Sequence, residues 1–204
     1  MKSILFIPVA SLIVLLVAAT NTYAQTPAPE AATTAPQSAA KRIKFAFKDA
    51  EIVTVIETYA KASGQKFVLD ASVRGKTTIL TESEVTLDEA FALLSDALSL
   101  NGFAIAERDR VMNVAAARNI QRDLIPTLTE LPPLRPQRMA TLVVRVKHTT
   151  ADEINKRLRI LPSRDGEMTA YAPNQLIITD WTSNLHRIAA IIKEVDQPKA
   201  KSKN

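Results

Sequence analysis

The sequence FVLDASVRGKTTI, residues 67–79, decides the fold of the first half of the chain. Two short apolar stretches, residues 67–69 and 77–80, flank a polar segment that holds Asp70, Ser72 and Gly75. Aspartate and serine side chains favour turns, and glycine adopts backbone angles that other residues avoid. We therefore predict two strands joined by a tight turn.

The residues before this turn predict a strand followed by a helix. Ile43, Phe45 and Phe47 alternate with lysine and alanine, which is the pattern of a half-buried strand. Asp49 is the expected N-cap of a helix that Gly64 ends. The apolar face of this helix comprises Ile52, Val55, Ile56, Tyr59 and Ala60.

The residues after the turn predict a second helix and a hairpin. Thr86 and Glu89 have the spacing of a capping box, in which each side chain binds a backbone amide near the other residue. Two strands, residues 103–106 and 111–115, would close the unit around a turn at residues 108–110. These elements predict a first module at residues 43–117.

Prolines mark the boundary between this module and a second one. Four of them lie in residues 126–136 and predict an extended, unpaired linker at residues 118–138. Beyond it, the pattern predicts a strand, a helix that begins with a second capping box at Thr150 and Glu153, two strands and a last helix. This βαββα order, at residues 139–196, is that of KH-like modules. The fold class is therefore α+β, with two small mixed modules.

Two motifs in this order resemble the periplasmic modules of secretins, which are ring-forming outer-membrane proteins of type II secretion and type IV pilus machines. VLDASVRGK, residues 68–76, is similar in sequence to the corresponding segment of the first secretin module. PNQLIITD, residues 173–180, is similar in sequence to a segment of the second. The resemblance covers residues 43–195. It marks the turn with Asp70, Ser72, Arg74 and Gly75 as the family motif.

The resemblance implies an architectural role in protein secretion. The first module would meet an inner-membrane secretion component, and the second would pack side by side in a homo-oligomeric ring. Secretins continue into a β-rich pore region, whereas this sequence ends at Asn204, so we expect the chain to lack the pore-forming domain. The pore subunit would then be a partner, with this chain as one half of a split secretin or as an accessory ring.

Two surfaces are candidate contacts for such partners. Ile43, Phe45 and Phe47 form the candidate edge strand to which a partner could add its own strand. For the ring contact, charged residues of the second module could meet a neighbour: Arg157, Arg159 and Arg164 with Glu153 or Asp165.

The ends of the chain indicate its compartment. Residues 1–24 have the apolar stretch and small-residue site of a secretory signal, and we expect cleavage after Ala24. An Ala/Pro/Thr-rich linker at residues 25–42 follows, and residues 197–204 form a basic tail. The sequence has no cysteine, so its modules gain no stability from disulfides. We expect a periplasmic protein without a membrane span after cleavage, associated with an outer-membrane complex.

The sequence offers little catalytic or ligand-binding chemistry. His148 and His186 are its two histidines, and neither stands near other ligand-type residues at metal spacing. The net charge of +5 could attract nucleic acid, but the KH-like module lacks the GxxG loop that grips RNA. We therefore expect no enzyme activity, no cofactor and no nucleic acid. The alternatives are an independent periplasmic binding module, or a signalling-domain protein that contacts an inner-membrane regulator.

Overall fold

The computed structural model describes residues 41–198. The predicted signal, nearly all of the residue 25–42 linker and most of the basic tail lie outside the described residues. Within them, none of the helices combines the length and the apolar character that crossing a bilayer requires.

The first half of the described chain contains seven strands and two helices. In chain order they are β1 (Arg42–Ile43), β2 (Phe47–Glu51), α1 (Ile52–Ser63), β3 (Lys66–Leu69), β4 (Lys76–Ile79), β5 (Val85–Thr86), α2 (Leu87–Leu100), β6 (Phe103–Arg108) and β7 (Val111–Ala116).

These strands form three small sheets around the two helices. β7 is the central strand of one sheet, with β3 parallel to it on one side and β6 antiparallel on the other. β2 pairs with β4, and β1 pairs with β5, both antiparallel. The apolar faces of α1 and α2 supply the core, in which Ile52, Ile56, Leu94 and Leu98 are at most 1% exposed.

The predicted strand at residues 43–47 is wrong in its extent. β1 ends at Ile43 and β2 begins at Phe47, with no strand pairing in between. Phe45 lies in this gap and is fully buried, with its ring 5.0 Å from that of Phe47 and 6.2 Å from that of Tyr59. Residues 43–47 keep the inward and outward alternation of a strand, but β1 pairs with β5 and β2 pairs with β4, so the pairing changes partner within this stretch.

The predicted N-cap of α1 is also wrong. Glu51 occupies that position and makes no side-chain cap, whereas Asp49 lies within β2 with a φ of 50°. The Asp49 carboxylate accepts a hydrogen bond from Lys76 Nζ at 2.9 Å. The prediction for the other end is confirmed, since α1 ends at Gly64 in the left-handed conformation.

The predicted start of α2 is confirmed. Thr86 Oγ1 accepts a hydrogen bond from the Glu89 amide, and the Glu89 carboxylate accepts one from the Thr86 amide at 2.8 Å. The predicted hairpin of β6 and β7 is confirmed as well. Asp109 and Arg110 at its tip both have positive φ, as a two-residue hairpin turn requires.

The second half contains three helices and four strands. They are α3 (Ala117–Asp123), β8 (Thr127–Leu128), β9 (Met139–Arg145), α4 (Ala151–Leu158), β10 (Glu167–Tyr171), β11 (Gln175–Trp181) and α5 (Thr182–Val195). From β9 onward the order is the predicted βαββα. The strands form one sheet in the order β10-β11-β9-β8, with β8 parallel to β9. With helices and strands mixed throughout, the fold class is α+β.

The second capping box is only half formed. Thr150 Oγ1 accepts from the Glu153 amide at 3.3 Å, but the Glu153 carboxylate binds Arg157 Nη2 at 2.7 Å. Arginine four residues along the same helix face competes for the carboxylate that would complete the box.

The predicted linker contains structure that the proline pattern did not indicate. α3 occupies its first residues, and β8 pairs with Thr141 and Leu142 of β9. Two separate cores, one in each half, are joined by a third buried cluster that includes Ile120 of α3, Met139 of β9 and Trp181 of β11. The division into modules at residues 43–117 and 139–196 stays a prediction.

Candidate docking surfaces

The family motif forms a structural turn. Asp70 Oδ1 accepts hydrogen bonds from the Ser72 amide at 2.8 Å and from the Ser72 hydroxyl at 2.5 Å. The Ser72 hydroxyl, and then its amide, hold the pKa of Asp70 below the ordinary value. Gly75 has a φ of 120°, and its carbonyl accepts the first amide of α1 from Ile52 at 2.9 Å. The motif therefore fixes the start of α1, and Arg74 is left exposed.

The candidate edge strand presents mostly backbone and lysine to a partner. The Phe45 side chain is fully buried, and those of Ile43 and Phe47 are half-buried against the same core. Lys44, Ala46 and Lys48 are the exposed side chains beside them. β2 has β4 on one side only, so its other edge is free of strand pairing within residues 41–198. Its use by a partner stays a prediction.

The candidate ring-contact charges pair mostly with each other or with their own half of the chain. Glu153 binds Arg157 within α4, and Asp165 lies 3.5 Å from Arg164 Nε. Arg159, just after α4, is exposed and forms no salt bridge with residues 41–198. A ring contact through these charges stays a prediction, and in it Arg159 is the cation free to meet a neighbour.

Arg118 is a residue that the sequence reasoning missed. From α3 it donates Nη2 to the backbone carbonyl of Arg164 at 2.9 Å, and its Nε lies 4.0 Å from Asp165. Arginine on a short helix in a supposed linker carries no sequence signal for such a contact. It ties α3 to the loop between α4 and β10.

Two further arginines tie residues 132–138, called the proline-rich segment here, to α2. Arg135 Nη1 lies 3.0 Å from the Asp96 carboxylate, and the Arg138 guanidinium lies 5.5 Å from the centre of the Phe91 ring. Both contacts cross from the predicted linker to the first core. They fix one wall of a cleft.

This cleft has a volume of about 1060 Å³ and lies between the end of β6, residues 124–128 and the proline-rich segment. We call it the intermodule cleft. Its apolar lining includes Ile105, Leu124, Leu128 and Met139. Its charged lining consists of Arg108, Arg110, Arg135 and Arg138 with Glu107 and Asp109.

The histidines have ordinary structural surroundings. His186 Nε2 lies 2.8 Å from the Pro132 carbonyl, and the His148 amide donates to Asp196 at 2.7 Å. Among residues 41–198, no group of three or more His, Asp or Glu side chains is placed to hold a metal ion.

The sequence and the fold of this chain are similar to those of known proteins. The family of GspD-like N0 domains matches residues 45–114, which include the motif turn and both helices of the first half. The chain carries a secretin N-terminal region. Secretin XcpQ of Pseudomonas aeruginosa is 28% identical over 152 residues, which are 74% of this chain and 22% of that protein. Secretin GspD of Vibrio cholerae is 27% identical over 166 residues, 79% of this chain and 25% of that protein.

The similarity of the secretin N-terminal region extends to pilus proteins and to a solved structure. The type IV pilus biogenesis and competence protein PilQ of Neisseria meningitidis serogroup B is 28% identical over 169 residues, covering 78% of this chain and 22% of that protein. The Klebsiella pneumoniae type II secretion outer-membrane complex shares the fold, with a TM-score of 0.64 at 22% identity over 74% of this chain and 26% of that one. This chain thus spans about a quarter of the length of the secretins that it matches.

Proposed function

We propose that this chain is a non-catalytic periplasmic component of a protein secretion or pilus machine. It docks to an inner-membrane secretion component, to a secretin pore subunit, or to both. The observation that carries the proposal is the N0-type domain at residues 45–114, followed, after α3 and β8, by a βαββα unit.

The known assembly of a relative supports this role. The K. pneumoniae complex contains PulD together with PulS and the HR domain of PulC. A domain of similar fold therefore occurs there in an assembly of several different proteins. We infer that the first half of this chain meets a partner in the same general way.

The free edge of β2 is the proposed contact in the first half. Small sheets accept a partner strand at an unpaired edge, where backbone groups supply affinity. The exposed charges of β2 itself, Lys48, Asp49 and Glu51, are of mixed sign, so backbone pairing would supply most of the affinity. The buried Phe45 holds the edge in place and does not itself contact the partner.

Site-specific photocrosslinking in living cells tests this contact. A photoreactive residue replaces Lys44 or Ala46, both exposed near the β2 edge, and a control variant carries it at Glu57 on the exposed side of α1. We expect an adduct with an inner-membrane or secretin subunit from positions 44 and 46 and none from position 57. Adducts from position 57 alone, or from none of the three, would contradict docking at this edge.

The second half is the proposed site of self-association. We propose that Arg159 meets a carboxylate of a neighbouring copy in a homo-oligomeric ring, with Arg157, Arg164, Glu153 and Asp165 beside it. The free guanidinium of Arg159 supports this assignment.

A further inference from the structure

The intermodule cleft lies between free edges of two different sheets. β6 is the last strand of the β3-β7-β6 sheet, and β8 is the last strand of the β10-β11-β9-β8 sheet. Ile105–Arg108 of β6 and Leu128 of β8 both line the cleft. Within the described part of the chain, neither strand has a second pairing partner. Unpaired strand edges expose backbone donors and acceptors that an added strand can satisfy.

The lining of the cleft has an apolar part, called the floor here, and a charged part, called the rim. Leu124, Ile125 and Leu128 are half-buried apolar residues at the floor. The rim has four arginines against two carboxylates, so its net charge is positive. An occupant should therefore combine apolar and acidic groups.

The rim arginines fall into two groups. Arg135 and Arg138 are already engaged, by Asp96 and by the Phe91 ring. Arg108 and Arg110 are exposed at the hairpin tip and form no salt bridge with residues 41–198. The positive φ of Arg110 is part of the tight turn that places both arginines at the end of β6.

We propose that the intermodule cleft binds an extended segment of a partner protein in which acidic and apolar residues alternate. The segment adds to the free edge of β6 as a strand. Successive side chains of a strand point to opposite sides, so every second one reaches the apolar floor while the others face the arginines. This surface is distinct from the β2 edge and does not depend on the docking proposed there.

The volume of the cleft and the strand edges along its sides suit an extended peptide better than a compact ligand. Its volume of about 1060 Å³ lies just above the range of small-molecule pockets, which is about 300–1,000 Å³. Two strand edges along its sides would be unused by a compact ligand. An extended chain uses them together with the charged rim.

Fluorescence anisotropy with a defined peptide tests the proposal. The probe is a labelled eight-residue peptide of alternating glutamate and valine, titrated with the full chain at low salt. We expect saturable binding that weakens with added salt, because the rim contributes through charge. The same peptide with lysine in place of glutamate should not bind. Absence of saturable binding of the glutamate peptide would overturn the proposal.

Two matched double variants locate the binding. R108E/R110E reverses the free rim charges, and R74E/R145E reverses two exposed arginines that lie outside the cleft. We expect about tenfold weaker binding for the first and about unchanged binding for the second. Equal effects of the two variants would overturn the assignment to the cleft. Circular dichroism and urea unfolding of each variant confirm that it is folded.

A chemically modified peptide tests strand addition separately from charge. N-methylation of alternate residues removes the backbone donors of one peptide edge and keeps every carboxylate. We expect that one of the two alternate methylation patterns abolishes binding, because it removes the donors that face β6. Equal binding of both methylated peptides and the parent peptide would show that the contact is electrostatic only, and strand addition would be wrong.

Discussion

Arg118 Nη2 donates a hydrogen bond to the backbone carbonyl of Arg164 at 2.9 Å, which joins α3 to the loop after α4. The contact lies within the second half and holds in place a helix that the sequence does not reveal. Together with the buried cluster around Ile120, it gives the proline-rich segment a fixed course between the two cores.

We predict that R118A loosens the segment between the cores without greatly changing global stability. The arginine is exposed, so the contact is expected to stabilise the fold by about 0.5–1 kcal/mol. Limited proteolysis at residues 124–138 should accelerate in R118A and not in R145A, which removes an exposed arginine of β9. Equal cleavage rates in wild type and both variants would contradict a linking role for Arg118.

We predict that two isoleucines, one in the buried cluster and one on the surface, contribute very differently to the free energy of unfolding. Ile120 is 1% exposed and packs in the cluster, whereas Ile160 is 82% exposed. We expect I120A to reduce the free energy of unfolding by about 2–4 kcal/mol, because it leaves a cavity, and I160A by less than about 0.5 kcal/mol. Urea unfolding measures both. Similar losses in the two variants would show that α3 does not bury Ile120 as described.

Substituting alanine for Gly64 or for Gly166 is predicted to destabilise the fold, for a different reason at each position. At Gly166 a Cβ would overlap the Asp180 carboxyl and lie 2.8 Å from the Thr179 carbonyl oxygen, whereas at Gly64 it would meet nothing within 4 Å. Gly64 instead has a φ of 74°, for which alanine costs about 1 kcal/mol. We expect G166A to lose more stability than G64A in thermal unfolding. The opposite ranking would contradict the close approach of Asp180 to Gly166.

The contacts of Asp196 predict that part of the stability of the fold is lost at acid pH. Its carboxylate accepts hydrogen bonds from the amides of Lys147 at 2.6 Å, His148 at 2.7 Å and Thr149 at 2.8 Å. Burial is the largest single influence and raises the pKa of Asp196, but the three amides together outweigh it, so the pKa lies below the ordinary value of 3.8.

A carboxylate with a lowered pKa stabilises the fold while it is ionised. The contribution of Asp196 is therefore fully present above the ordinary value of 3.8 and is lost as the pH falls through its lower folded value. We expect D196N to be less stable than wild type at pH 7, with a gap that narrows below about pH 4. Unfolding curves from pH 7 to pH 2.5 measure this. A gap that stays constant down to pH 2.5 would rule out the ionised carboxylate as its source.

The sequence predicted those elements whose signals are local. The capping box of Thr86 and Glu89, the left-handed end of α1 at Gly64 and the hairpin tip at residues 108–110 depend on a few neighbouring residues each. α3 has no side-chain cap, and its buried Ile120 faces Met139 and Trp181, which are distant in sequence. Tertiary burial of this kind leaves no short-range pattern.

The candidate contacts were harder to predict for the same reason. Alternation at residues 43–47 suggested one strand, and the alternation is present, but the two ends of this stretch pair with different strands, β5 and β4. The charges near α4 could be found in the sequence, and the i,i+4 spacing of Glu153 and Arg157 was a signal for their pairing, whereas the approach of Arg118 to Asp165 had none. The intermodule cleft depends on two strand edges that only the fold brings together.

Crosslinking in living cells, followed by affinity purification of the tagged chain and mass spectrometry, tests the central claim most directly. We predict recovery of a secretin pore subunit or an inner-membrane secretion component, in amounts that fall when the β2 edge is altered. Recovery of neither, from an exported and folded chain, would contradict a docking role in a secretion or pilus machine.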